Sequence, residues 1–151
     1  MGKKLTVRAA VREVLADGKW HTIEDITSVV GHLIPPEVAY RRGIEQRTGK
    51  SKDQAPYDDV IRAGRKRALL IILNKDMVGV EKLGTWLATF RYSEEVAQSQ
   101  QVRCDFCGEM YIPLSLPTRA QKTHKRLCHK PACRAKMHKE ALARLREAVP
   151  A

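Results

Sequence analysis

Cys104-Asp-Phe-Cys107-Gly108 and Cys128-His-Lys-Pro-Ala-Cys133-Arg134 hold all four cysteines of this 151-residue chain. Two residues between Cys104 and Cys107 let both thiolates reach one ion from a tight turn, and Gly108 supplies the positive φ that such a turn needs. Pro131 suits the first position of a helix, where its missing N–H would have no partner. Cys133 then falls in the first helical turn and Cys128 just ahead of it. A knuckle and a helix start together predict four thiolates around one tetrahedral zinc ion. His124 and His129 are substitute ligands in principle, but read more simply as solvent-facing residues of a basic segment.

Other uses of these cysteines fit less well. Disulfides need an oxidising compartment, and Met1-Gly2-Lys3-Lys4-Leu5-Thr6 has no apolar run of a secretory signal. Cys104-x-x-Cys107 lacks the strand–helix surroundings of a thioredoxin-type redox pair. The longest apolar run, Ala68 to Leu73, is far short of the roughly 20 residues of a membrane span. A cytoplasmic, nucleoid-associated protein is expected.

The net charge is +11 with a pI near 9.8, which favours a polyanionic partner, nucleic acid before anionic membrane. The charge is uneven. Residues 1–100 carry 17 Lys and Arg against 13 Asp and Glu, while residues 101–151 carry 11 against 4. The cysteine segment is therefore also the more basic one.

Upstream, the chain reads as helices followed by a hairpin. Thr6 caps a helix with Val7, Ala10, Val11, Val14 and Leu15 on one stripe, ended by Asp17-Gly18. Thr22 and Asp25 form a capping box for a second helix carrying Ile23, Ile26, Val29 and Val30. Pro35-Pro36 opens a third that runs to about Arg47. The longest spans about Asp58–Asn74, with Gly64 inside it as a point of kink or break. Strand-forming residues then lie on both sides of Gly84, with Trp86, Phe90 and Tyr92 on one face at period two. Residues 93–102 read as a polar linker or connecting helix. A last helix runs from Pro131 to about Ala148, with Met137, Ala141, Leu142 and Leu145 on one stripe.

Helix, short strand, helix, helix and hairpin is an order that resembles the winged helix-turn-helix family. Ala9–Thr22 is similar to that family's first helix and strand, and Ile61–Leu73 running into Val78-Gly79-Val80-Glu81 is similar to the helix that precedes its wing. The resemblance covers about residues 5–92. It implies that this helix enters the DNA major groove, although here an extra helix intervenes within residues 31–56. The cysteine segment, about residues 102–148, resembles a treble-clef zinc finger. Treble clefs serve in DNA binding, RNA binding, nucleases and protein docking, so the fold alone assigns no role.

Among the basic residues, Arg62, Arg65, Lys66 and Arg67 crowd one stretch of the helix before the wing. Arg can grip guanine with two hydrogen bonds, and Lys or Arg neutralises phosphate. Helical spacing puts Arg62, Arg65 and Lys66 on one face and turns Arg67 partly away. Lys82 and Arg91 flank the hairpin as phosphate contacts. Lys122, Lys125, Arg126, Lys130, Arg134 and Lys136 make a second basic face on the cysteine module. A solvated helix face is the plainer reading of any such charge run. Trp20 and Trp86 read as core residues and His21 as structural. Asp58-Asp59 are explained by a helix start. There is no phosphate-binding glycine loop, nucleophile elbow or H-E-x-x-H, so no enzyme is expected.

The expected protein is α+β, mainly α: a winged helix-turn-helix domain over residues 1–92, a linker at 93–102, and a four-cysteine zinc finger with a C-terminal helix over 103–151. Its expected partner is double-stranded DNA, as a small bacterial or phage-type transcriptional regulator. No membrane or small-molecule substrate is expected. The alternatives are a zinc-stapled adaptor docking on a protein such as transcription machinery, and RNA binding.

Overall fold

The computed structural model describes residues 5–45, 55–116 and 125–149. Helix α1 (Val7–Leu15) starts where the Thr6 hydroxyl accepts the Ala9 N–H at 3.2 Å, and it buries Ala10, Val11 and Leu15. Strand β1 (His21–Thr22) follows. Its last residue completes the expected capping box with Asp25 and opens α2 (Ile23–Val30), whose Ile26 and Val30 face the core. A 3-10 turn over Gly31–Leu33 leads to α3 (Pro36–Glu45). The expected end of that helix at Arg47 lies outside the described residues.

Helix α4 (Tyr57–Ile71) extends through a π turn at Ile72–Asp76. It does not break at Gly64. That glycine is the crossing point with α3: a Cβ there would fall on the Ala39 carbonyl oxygen, and one at Gly43 would fall on the Val60 carbonyl oxygen. Two small-residue positions thus let the backbones of α3 and α4 touch, so Gly64 serves packing and its loss of helix propensity is offset by close contact.

Strands β2 (Val80–Leu83) and β3 (Thr89–Tyr92) form an antiparallel hairpin, and β1 pairs with the far side of β3, giving the order β1-β3-β2. Phe90, on β3 opposite His21 and Lys82, is fully buried among Val11, Leu15, Ile26, Leu69 and Met77. The second strand is shorter than the sequence pattern predicts. Gly84 turns the chain at φ 83° and residues 84–88 leave the ladder, which carries Trp86 away from the face it would share with Phe90. Trp86 is 98% exposed and Trp20 is 37% exposed, so the expectation that both tryptophans belong to the core is corrected.

Of the two forms expected for residues 93–102, a linker or a connecting helix, the chain shows a short helix. Ser93 caps helix α5 (Glu94–Ser99), and Ala97 is buried. Gly79 donates its N–H to Gln100 Oε1 at 2.7 Å and accepts the Ser93 N–H at 2.8 Å. Strands β4 (Val102–Arg103) and β5 (Met110–Tyr111) pair around the cysteine knuckle. The chain then runs back as a strap across the helical domain: Leu116 N–H donates to the Asp76 carbonyl at 2.9 Å, and Arg12 Nη2 donates to the Leu114 carbonyl. The strap walls a cleft of about 480 Å³ with Arg12, Met77, Tyr92 and Ala97. Helix α6 (Pro131–Ala148) closes the chain. The architecture is α+β, mainly helical, with two small antiparallel sheets.

Candidate metal centre and cationic surface

The four cysteines meet. Their sulfurs all lie within 4.8 Å of one another, and none is in a disulfide. Tetrahedral thiolate coordination at about 2.3 Å sets sulfur–sulfur edges near ~3.8 Å, and Cys107 Sγ and Cys128 Sγ stand 3.8 Å apart. The knuckle is built as its composition requires. Gly108 takes φ 75°, its N–H donates to the Cys104 carbonyl at 2.9 Å, and Arg103 Nε donates to its carbonyl at 2.9 Å. Pro131 opens α6, which puts buried Cys133 in the first turn.

Asp105 was not singled out by the cysteine spacing, yet it joins the two halves of the centre. Its N–H donates to the Arg126 carbonyl at 2.9 Å, and its carboxylate accepts the Arg126 N–H at 2.5 Å. The available signal was a short acidic side chain inside a tight knuckle, a residue type that ties neighbouring backbone.

The thiols differ sharply. Burial pushes the Cys104 thiol up, but N–H groups of Cys128, Cys107 and Phe106 directed at its sulfur outweigh this and bring it down to about 6. Burial pushes Cys133 up, and the sulfurs of Cys128, Cys107 and Cys104 add to that, taking it to about 12. Sulfurs this close cannot all ionise unaided, so a four-thiolate site would need a cation to balance it. Among the described residues, the hydrophobic side chains packed around them are Phe106, Tyr111 and Leu127, each half-buried. The cluster is therefore the organising centre of its module, and its donor set suits a thiophilic metal ion. His129 stands edge-on to Tyr111 at 5.7 Å between ring centroids and lies outside the cluster.

The basic residues of α4 do not share one open face. Arg62 is exposed. Arg65 is half-buried beside Gly31, with its Nε buried and without a hydrogen-bond partner among the described residues. Lys66 pairs with Glu24 of α2, and Arg67 is half-buried. On the hairpin, Lys82 is exposed. Arg91 instead bonds Glu81 at 2.7 Å and lies over the Trp20 ring at 4.5 Å.

On the cysteine module, Lys125 bonds Glu140 at 2.6 Å and lies over Phe106, while Lys130 pairs with Glu109. Arg126, Arg134, Lys136, Lys139, Arg144 and Arg146 are exposed and make no ion pair among the described residues. Lys122 and His124 lie outside the described residues. His21, expected to be structural, lies on β1, where its Nε2 meets the Asp17 carboxylate at 2.9 Å.

No protein-family model, curated protein or solved structure matches the chain. No helix among the described residues is long and apolar enough to cross a membrane.

Proposed function

We propose that this chain is a winged helix-turn-helix protein with a four-cysteine zinc module, and that it binds double-stranded DNA as a small transcriptional regulator. The observation that carries this reading is the uncompensated cationic surface of residues 125–149. There six basic side chains stand exposed without an ion pair among the described residues. Surface lysines and arginines on a chain of +11 are the footprint of a phosphate-binding protein. The β1-β3-β2 sheet and the run of α4 into the β2–β3 hairpin support the winged-helix part.

Roles within the surface follow from exposure. Arg62 and Lys82 are free to meet a duplex from the helix and the hairpin, and Arg134 and Lys136 from α6. Lys66 and Arg91 fix neighbouring elements, and Arg65 lies against α2. Zinc holds the second cationic surface in place. With three half-buried apolar neighbours the module has little else to fold around, so metal binding is folding free energy there.

Titration of mixed-sequence duplex by fluorescence anisotropy across a range of salt tests the reading. Affinity should fall linearly on a log–log plot, by about 0.9 in slope per phosphate neutralised. A flat slope, or no binding at low salt, refutes it. The exposed Met137, Leu142 and Leu145 of α6 favour the adaptor reading as the second choice, with a protein covering that helix.

A further inference from the structure

The tip of the β2–β3 hairpin presents the most exposed large apolar side chains of the described chain. Trp86 is 98% exposed and Leu87 91%, with Leu83 at 59% beside them. The other tryptophan is treated differently: Trp20 is shielded by the Arg91 guanidinium. Exposing an indole this fully forgoes a large apolar burial, so the arrangement is informative. The tip residues Gly84-Thr85-Trp86-Leu87-Ala88 carry no charge. They can therefore form no ion pair with a phosphate. Lys82, exposed on β2, supplies the nearest free cation in the hairpin.

The protrusion is firmly held. Four residue pairs, Val80–Tyr92 to Leu83–Thr89, link the strands, and Glu81 and Arg91 bond across them. Its apolar surface is small. A tryptophan and a leucine together expose a few hundred Å² at most, well under the roughly 800 Å² per partner of a stable protein interface. A base step needs far less area: one ring inserted between or against bases is a complete contact.

We propose that Trp86, backed by Leu87, is an apolar wedge that stacks on the bases of duplex DNA and bends it, while Lys82 holds the adjacent phosphate. The proposal rests on the DNA-binding reading above. It adds a contact that charge does not supply, and it makes the hairpin tip a deforming element.

The test uses the full metal-bound chain, mixed-sequence duplex and the variants Trp86→Ala, Trp86→Phe and Lys82→Ala. Because Trp86 touches so little of its own protein, its variants should keep the wild-type circular dichroism and melting temperature. Trp86→Ala should bind about 10-fold or more weakly with an unchanged salt slope, since no charge is lost. Trp86→Phe should recover most of the affinity. Lys82→Ala should lower the salt slope by about one. Wild-type tryptophan emission should be quenched by duplex, and the Trp20 emission left in Trp86→Ala should not. Circularly permuted fragments should show bending by wild type and much less by Trp86→Ala. If Trp86→Ala matches wild type in affinity and bending while wild type binds duplex with a steep salt slope, the wedge is refuted and the DNA-binding reading stands. If wild type does not bind duplex at all, both are refuted.

Discussion

Gly64 and Ala39 meet backbone to backbone where α4 crosses α3, with no room for a Cβ between them. Gly64→Ala would ordinarily stabilise an exposed helix by about 1 kcal/mol. Here the sign reverses, because the new methyl must push against a carbonyl oxygen. The expected loss is about 1–3 kcal/mol or more, read as a lower urea midpoint with little change in slope. Gly31→Ala, whose Cβ would meet only the Thr27 methyl and the Arg65 side chain at 3.1 Å or beyond, should cost less. Equal midpoints for Gly64→Ala and wild type would mean that α3 and α4 do not cross at this point.

Metal content gives a second expectation. Protein purified without added metal should carry one zinc per chain, measured by elemental analysis. Strong chelation, or Cys107→Ser, should abolish chemical-shift dispersion for residues 102–111 and 125–148 and leave the α1–α4 core folded. A metal-free chain that retains the dispersed signals of that module would rule out a structural ion.

The ion pairs separate basic residues of α4 that helical spacing treats alike. Lys66→Ala removes a charge already tied to Glu24, so duplex affinity and salt slope should change little. Arg62→Ala should lower the slope by about one, and Arg134→Ala with Lys136→Ala by about two. The reverse order, Lys66 strong and Arg62 silent, would place the contact face on the α2 side of α4.

Acid should loosen the start of α2. The Thr22 hydroxyl and N–H both bond the Asp25 carboxylate, holding it below the ordinary carboxylate value of 3.8. Its folded pKa is thus the lower one, so its contribution is complete above the unfolded value and is lost as pH falls through the folded one. Asp25→Asn should flatten the acid limb of the stability–pH curve below about pH 5, measured by thermal melts. An unchanged limb would assign acid sensitivity elsewhere.

Local chemistry was legible wherever a few adjacent residues determine geometry. The Thr6 and Thr22 caps, the Gly108 turn and Cys133 in a first helical turn all follow from short-range rules, and the four sulfurs meet as their spacing predicts. Less legible were features set by distant partners. Gly64 reads locally as a weakness, because only the arrival of α3 gives it a purpose. Trp86 follows the period of Phe90 and Tyr92, yet the turn at Gly84 takes it out of the strand. Lys66 shares a helical face with Arg62, but Glu24, 42 residues earlier, claims it. The polar run at 93–102 leaves linker and helix undecided, because a single small residue, Ala97, is all it buries.

Helix α5 and the strap at 112–116, which precede and follow the cysteine knuckle in the chain, are both hydrogen-bonded to the helical domain, through Gln100 to Gly79 and through Leu114 and Leu116 to Arg12 and Asp76. A module tethered by one flexible arm samples many positions along a polymer; one fastened at both entry and exit keeps a set distance from the hairpin. If the chain binds DNA as proposed, such a molecule would work as a ruler. Its protected footprint should have one length on every site, and inserting half a helical turn between the two contacted stretches should abolish joint engagement, where a floppy tether would absorb it.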